Sequence, residues 1–222
     1  MDILLVRHGE SEGNRDQKLQ GSIDKPLTDK GRGQARRLGA WLKARGARVD
    51  ASYCSPLMRA NETAKLVTET AELPAPTVLE SVAEIHAGSL EDMTRDEIVA
   101  AHPAFMGRRL SSLGDFSAYG GESHDDVMAR VRRTIDRLTS SHRERADRVL
   151  LVAHGGFNFH FTKALLCDPV PRLNMMRWGN CTASLIRLRE RRGHYIGELT
   201  WHVPNELMVT ADEAAASDAL FP

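Results

Sequence analysis

Two short, uninterrupted apolar runs, Ile3-Leu4-Leu5-Val6 and Val149-Leu150-Leu151-Val152-Ala153, constrain this chain more than any other feature. A strand with one wet face alternates apolar and polar residues, whereas a run that is apolar throughout suits a strand covered on both faces. Each run breaks off in a polar group, Arg7-His8-Gly9-Glu10 in the first case and His154-Gly155-Gly156 in the second. Both polar groups therefore fall at the carboxyl end of a buried strand, the edge of an open α/β sheet where ligands bind.

The intervening segments alternate between helical and extended patterns. Thr28-Asp29 caps a helix that carries Ala35, Leu38 and Leu42 on one stripe as far as Gly46. Residues 49–53 read as a strand, and Ser55-Pro56 opens a helix with Leu57, Ala60, Ala64 and Val67 at helical spacing and Arg59 in its first turn. A short strand is expected at 77–79 and a helix at 95–101. Ser123-x-x-Asp126 starts a helix that turns Val127, Val131, Ile135 and Leu138 inward, and a further helix is expected from about 157 to 166. Residues 182–188 and 195–201 alternate as two strands of a hairpin around Arg191-Arg192-Gly193. This order predicts an α/β fold, a three-layer α/β/α sandwich with a mostly parallel central sheet. The expected organisation is one domain over 1–209, with a cap or lid at about 85–122 and a tail at 210–222 that has little to pack.

Composition narrows the partners. Thirty Lys and Arg balance thirty Asp and Glu in 222 residues, so no global field points to nucleic acid or an anionic membrane. Cys54, Cys167 and Cys181 are odd in number and form no CxxC pair, which fits reduced thiols and neither a disulfide framework nor a zinc site. No carboxylate cluster or His/Cys set is spaced for a metal, so no metal and no cofactor is expected. The first apolar run is too short for a signal-peptide core, and no stretch approaches the roughly 18 apolar residues of a membrane span. A cytoplasmic location is expected.

Leu5-Val6-Arg7-His8-Gly9-Glu10-Ser11 resembles the signature of the histidine phosphatase superfamily, in the branch that holds cofactor-dependent phosphoglycerate mutases and many small phosphatases. Further blocks follow in the family's order: Asn14, Pro26-Leu27-Thr28-x-x-Gly31, Ser55-Pro56-Leu57-x-Arg59-Ala60-x-Glu62-Thr63, Gly120-Gly121-Glu122-Ser123 and Val152-Ala153-His154-Gly155-Gly156. The resemblance implies a phosphoglycerate mutase-like fold and phosphoryl transfer through a phosphohistidine. Such chemistry needs an in-line nucleophile, positive charge around the equatorial oxygens and a proton for the departing alkoxide. By the same resemblance, His8 is the nucleophile and Arg7 and Arg59 clamp the phosphate. His154 donates to a phosphoryl oxygen and is stabilised as a cation by the phosphate charge.

The family's proton donor is a glutamate followed four residues later by glycine, which Glu84-Ile85-His86-Ala87-Gly88 matches, with Glu80 and Glu91 as competitors. Beside phosphate, such a carboxyl holds its proton more tightly and can protonate the leaving oxygen. Many members carry Trp-Glu-Gly where this chain has Leu90-Glu91-Asp92. Asn14 and the amides of Gly155 and Gly9 are candidate phosphate donors, and Gln20-Gly21 resembles a stretch that lines the pocket in relatives. Ser11 and Ser123 also read as turn and N-cap residues. Mutases of the family show Glu-Arg-His-Tyr-Gly, so the arginine and tyrosine are absent here. Arg108-Arg109 falls at the separation of the mutases' basic pair, but the proline-rich sequence that usually follows it is missing. A phosphatase acting on a small phosphorylated metabolite is therefore expected, ahead of a phosphoglycerate mutase and of an inactive binding protein on the same fold. A homodimer through sheet edges is compatible with such a fold.

Overall fold

The computed structural model describes residues 1–105, 115–142, 147–166, 178–191 and 194–208. Strands β1 (Asp2–Arg7), β2 (Ala51–Cys54), β3 (Pro76–Val78), β4 (Arg148–Ala153), β5 (Ala183–Arg191) and β6 (His194–Val203) form one sheet in the order β3-β2-β4-β1-β5-β6. The first four in that order run parallel, while β5 joins β1 antiparallel and pairs back on β6 as the expected hairpin. Helices are α1 (Glu12–Arg15), α2 (Asp29–Ala44), α3 (Met58–Ala71), α4 (Arg95–Ala101), α5 (His124–Ser141) and α6 (Gly155–Leu165).

The two apolar runs are the central strands, and their alternate residues feed two cores. Ile3, Leu5, Val149 and Leu151 pack with Val127, Val131 and Leu138 of α5 and Phe157 and Phe161 of α6. Leu4, Val6, Leu150 and Val152 face Leu38 and Leu42 of α2 and Ala60, Ala64 and Val67 of α3. This is the three-layer α/β/α arrangement, and it explains why neither run has a polar position. Each fully buried Leu, Ile or Val contributes about 1.5–3 kcal/mol.

Local signals hold where a side chain supplies them. Thr28 Oγ1 accepts from Gly31 N at 3.0 Å and starts α2, while Ser123 and Asp126 form a reciprocal capping box at α5. Ser11 likewise caps α1. Two boundaries differ from expectation. Ser55-Pro56 does not open α3, which starts at Met58 after Leu57, because the Ser55 N–H is taken by Val152 O at 3.0 Å in continuation of the sheet. Helix α6 starts at Gly155, with His154 as its N-cap, so the two glycines lie inside the first turn.

Cys54 and Cys181 are free and buried, and burial pushes the Cys54 thiol up to about 11 and the Cys181 thiol higher still. Cys167, Arg108, Arg109, Arg192, Gly193 and the 210–222 segment lie outside the described residues. No helix among the described residues is long and apolar enough to cross a membrane.

The first turn of α2 lies directly on the loop after β1. A Cβ on Gly31 would meet Glu10 O at 2.0 Å, and one on Gly9 would meet Gly31 O at 2.5 Å, so both glycines are required for this backbone approach. Gly33, two residues on, faces open space. Gly31→Ala is expected to destabilise the fold by about 2 kcal/mol through overpacking. Gly33→Ala should stabilise the same helix by up to about 1 kcal/mol. Urea midpoints of the two variants check the contrast, and equal shifts would refute the close-approach account.

Candidate active site

Parallel pairing of β1 with β4 places Arg7 opposite Ala153, and His8 N continues the ladder to Ala153 O at 3.0 Å. The residues that follow, His8 and His154, consequently stand side by side with ring centroids 5.1 Å apart. The His8 carbonyl is fixed from the other side by Cys181 N at 3.1 Å and Asn180 Nδ2 at 3.2 Å. Its ring Nδ1 lies 2.7 Å from Gly9 O. A carbonyl only accepts, so Nδ1 carries the proton and the neutral ring keeps its lone pair on Nε2. Burial, followed by the charges of Arg7 and Arg59, holds the His8 pKa well below its usual 6.5.

Arg59, in the first turn of α3, is 1% exposed and donates from Nη1 to Ile23 O at 2.7 Å and from Nη2 to Gly21 O at 2.8 Å. Arg7 donates from Nη1 to Trp178 O. Both Nε atoms are buried and have no hydrogen-bond partner among the described residues. Burial lowers both guanidinium pKa values and the nearby Glu84 opposes the effect. Both remain cations. Thr63 Oγ1 ties this helix to the histidine loop, donating to Arg59 O at 2.6 Å and accepting from Gly9 N at 3.0 Å. The Gly9 amide is therefore occupied within the protein.

Of the three candidate acids, Glu84 alone lines the cavity with His8, Arg7 and Arg59. Its Oε1 accepts from Ile85 N at 3.0 Å and Phe157 N at 2.9 Å, and its Oε2 accepts from Gly156 N at 3.1 Å. Glu84 thus sits on the N-terminus of α6, where amides and dipole favour an acceptor. Glu91 serves a different purpose, since its Oε1 accepts from Ser22 N at 2.8 Å and Ala87 N at 2.9 Å and ties two loops together. Glu80 is exposed on a 3-10 turn.

Asn14, Gln20 and Gly21 line the cavity as expected. Asn14 Oδ1 receives Ser11 N at 3.2 Å and Asn180 Nδ2 at 3.0 Å, and Gln20 Oε1 receives Ser11 Oγ at 2.8 Å. With the oxygens engaged, the amide NH2 ends remain as donors. Gly156 is among the residues lining the cavity and Gly155 is not, although a Cβ on Gly155 would meet Arg7 Nε at 3.4 Å. Burial, and then the charges of Arg59, His8 and Arg7, hold the His154 pKa well below its usual 6.5, whereas the phosphate charge expected beside it would act in the opposite direction.

The cavity, about 220 Å³, is completed by Lys18, Leu19, Ile85 and Phe116, none of which the sequence singled out. A larger hollow of about 790 Å³ at the opposite sheet edge, around Met1, His142 and Arg187, is remote from these groups. No group of three or more His, Cys, Asp or Glu is placed to hold a metal ion among the described residues.

His8, two buried guanidiniums and a carboxyl border the small cavity, and His154 stands beside His8 without lining it. The family model of the histidine phosphatase superfamily (branch 1) matches residues 3–197, and the chain belongs to that superfamily. It is 32% identical over 156 residues to a metal-independent phosphoserine phosphatase of Arabidopsis thaliana, covering 70% of this chain and 64% of that protein's length. It is 35% identical over 155 residues to a 2,3-bisphosphoglycerate-dependent phosphoglycerate mutase of Azorhizobium caulinodans, covering 69% and 75%. The structure of a mycobacterial glucosyl-3-phosphoglycerate phosphatase in complex with VO3 superposes with a TM-score of 0.77 at 29% identity, covering 90% of this chain and 97% of that one.

Burying neutral histidines ties stability to pH. His8 and His154 are held well below 6.5, and burial brings His160 to about 4. Below pH 6.5 the unfolded chain takes up protons that the fold refuses, so stability falls as pH falls and is fully present above 6.5. Each histidine is expected to contribute a loss of about 1 kcal/mol between pH 6.5 and 5.5. Urea unfolding at the two pH values should show His8→Gln losing about that much less than the unsubstituted chain. An identical pH dependence would contradict the neutral assignment.

Proposed function

We propose that this chain is a phosphatase that hydrolyses a small-molecule phosphate monoester through a phosphohistidine on His8. The observation that carries this reading is the His8 Nδ1 contact to Gly9 O, which leaves the Nε2 lone pair for the cavity between Arg7 and Arg59. In the first step Nε2 attacks phosphorus, the P–O bond to the leaving group breaks, and the alkoxide takes a proton from Glu84. In the second step water attacks the phosphohistidine and gives its proton to Glu84, and the P–N electron pair returns to Nε2. Arg7 and Arg59 balance the charge on the equatorial oxygens, with His154 and the NH2 groups of Asn14 and Gln20 as further donors. A cavity of about 220 Å³ supports a small substrate.

The segment at 85–122 acts as the cap in this reading, contributing Ile85 and Phe116. A cytoplasmic location goes with a metabolite substrate. A homodimer is the assembly we associate with exposed Tyr195, Ile196 and Leu199 on β6. The competing reading is a phosphoglycerate mutase, which the similarity to the Azorhizobium mutase favours.

Incubation with 3-phosphoglycerate, with and without 2,3-bisphosphoglycerate, separates the two. A phosphatase releases inorganic phosphate from its substrates, whereas isomer formation dependent on the bisphosphate would make the chain a mutase. His8→Ala should lose covalent labelling and at least about 10³-fold in rate, and EDTA should leave the rate unchanged because the arginines supply the positive charge.

Glu84→Gln tests the acid. It should slow His8 phosphorylation strongly with alkyl phosphates and much less with p-nitrophenyl phosphate, whose phenolate departs without a proton. Rapid-quench measurement isolates that step, and equal slowing with both substrates would remove Glu84 from the role.

A further inference from the structure

Ser55 follows β2, and its N–H bond to Val152 O extends the β2–β4 pairing by one residue toward His154. Its side chain is fully buried. Two groups meet its Oγ: the Leu57 N–H, which donates at 3.2 Å, and His154 Nε2 at 2.7 Å. The other ring nitrogen, His154 Nδ1, is buried with no hydrogen-bond partner among the described residues, and the ring stands beside His8.

Proton counting separates the two tautomers. If His154 carries its proton on Nε2 and donates to Ser55, the serine hydroxyl proton and the Nδ1 lone pair are both left unpaired in a buried place, at about 1–3 kcal/mol each. An Nδ1 lone pair could also not serve an anion, which only accepts. If Ser55 donates to Nε2, every group is paired except one Nδ1–H, which is what a phosphoryl oxygen satisfies. The Leu57 N–H already fills a lone pair of Oγ and leaves the hydroxyl proton for the histidine.

We propose that Ser55 is a positioning residue whose hydroxyl fixes His154 as the Nδ1–H tautomer, an uncharged hydrogen-bond donor for an equatorial oxygen of the transferring phosphoryl group. The inference rests on the reading of His8 as the phosphorylated residue. A backbone turn thereby chooses the proton position on a side chain in the neighbouring strand.

Nitrogen NMR of the ¹⁵N-histidine-labelled protein, with His154 assigned by its absence in His154→Gln, reads the tautomer directly. The full chain should show a protonated Nδ1 and an unprotonated Nε2. Ser55→Ala should move the proton toward Nε2 and slow His8 phosphorylation by p-nitrophenyl phosphate about 100-fold, with KM changed far less. Ser55→Thr, which keeps the hydroxyl, should restore the tautomer and most of the rate. A proton on Nε2 in the unsubstituted protein overturns the proposal even if Ser55→Ala does not fold, and so does a Ser55→Ala protein with unchanged tautomer and rate. Failure of His8 to label would instead overturn the phosphohistidine reading, because the resting tautomer is measured without turnover.

Discussion

The site depends on the parallel pairing of β1 with β4. Both strands are buried on both faces, so a slip in their register would remove apolar side chains from two cores at once. With Arg7 opposite Ala153, the next residue on each strand is a histidine, and the two rings stand 5.1 Å apart at the carboxyl edge. No direct bond between the rings is needed to hold this spacing. Core packing on either side of the sheet sets it.

Around that pair the protein keeps charges where burial disfavours them. Arg7 and Arg59 are desolvated, and each has a buried Nε with no protein partner among the described residues. Their remaining bonds go to main-chain carbonyls at Gly21, Ile23 and Trp178, which orient the guanidiniums without neutralising them. The same cations help keep His8 and His154 neutral. One electrostatic arrangement therefore gathers positive charge at the cavity and disfavours protonation of the two imidazoles beside it.

Much of this was legible in the sequence, for identifiable reasons. Strands β1 and β4 announced themselves because burial on both faces leaves no polar position, and α2 and α5 because Thr28 and Ser123 cap them with their own side chains. The sequence places the start of α6 near 157 because no side-chain cap marks its true start: His154 holds the N-cap position without a side-chain capping bond, and Gly155 begins the helix. Glu84 stands out from Glu80 and Glu91 in the sequence only by the glycine four residues after it, in a poorly patterned segment. Their separation depends on Ser22, Ala87, Gly156 and Phe157, which meet them through tertiary contacts. Asn180 carries no local signal either, although it holds both the His8 carbonyl and Asn14 from the start of β5.

The second glycine after His154 shows how acid and helix are coupled. A Cβ on Gly156 would meet Glu84 Oε1 at 2.7 Å and Ile85 Cδ1 at 3.1 Å, so any larger residue would push the carboxyl off the first turn of α6. Glycine in a helix interior is unfavourable by about 1 kcal/mol relative to alanine. Here it allows Glu84 to take two N–H donors that the helix cannot satisfy internally. With Ile85 N and Phe157 N on Oε1 and Gly156 N alone on Oε2, it is Oε2 that keeps acceptor capacity to spare, because an ionised carboxylate has about two lone-pair sites on each oxygen. The backbone therefore holds the side chain in one orientation while Oε2 stays open to a further partner, which is what the acid and base steps proposed for Glu84 require if one rotamer is to serve both.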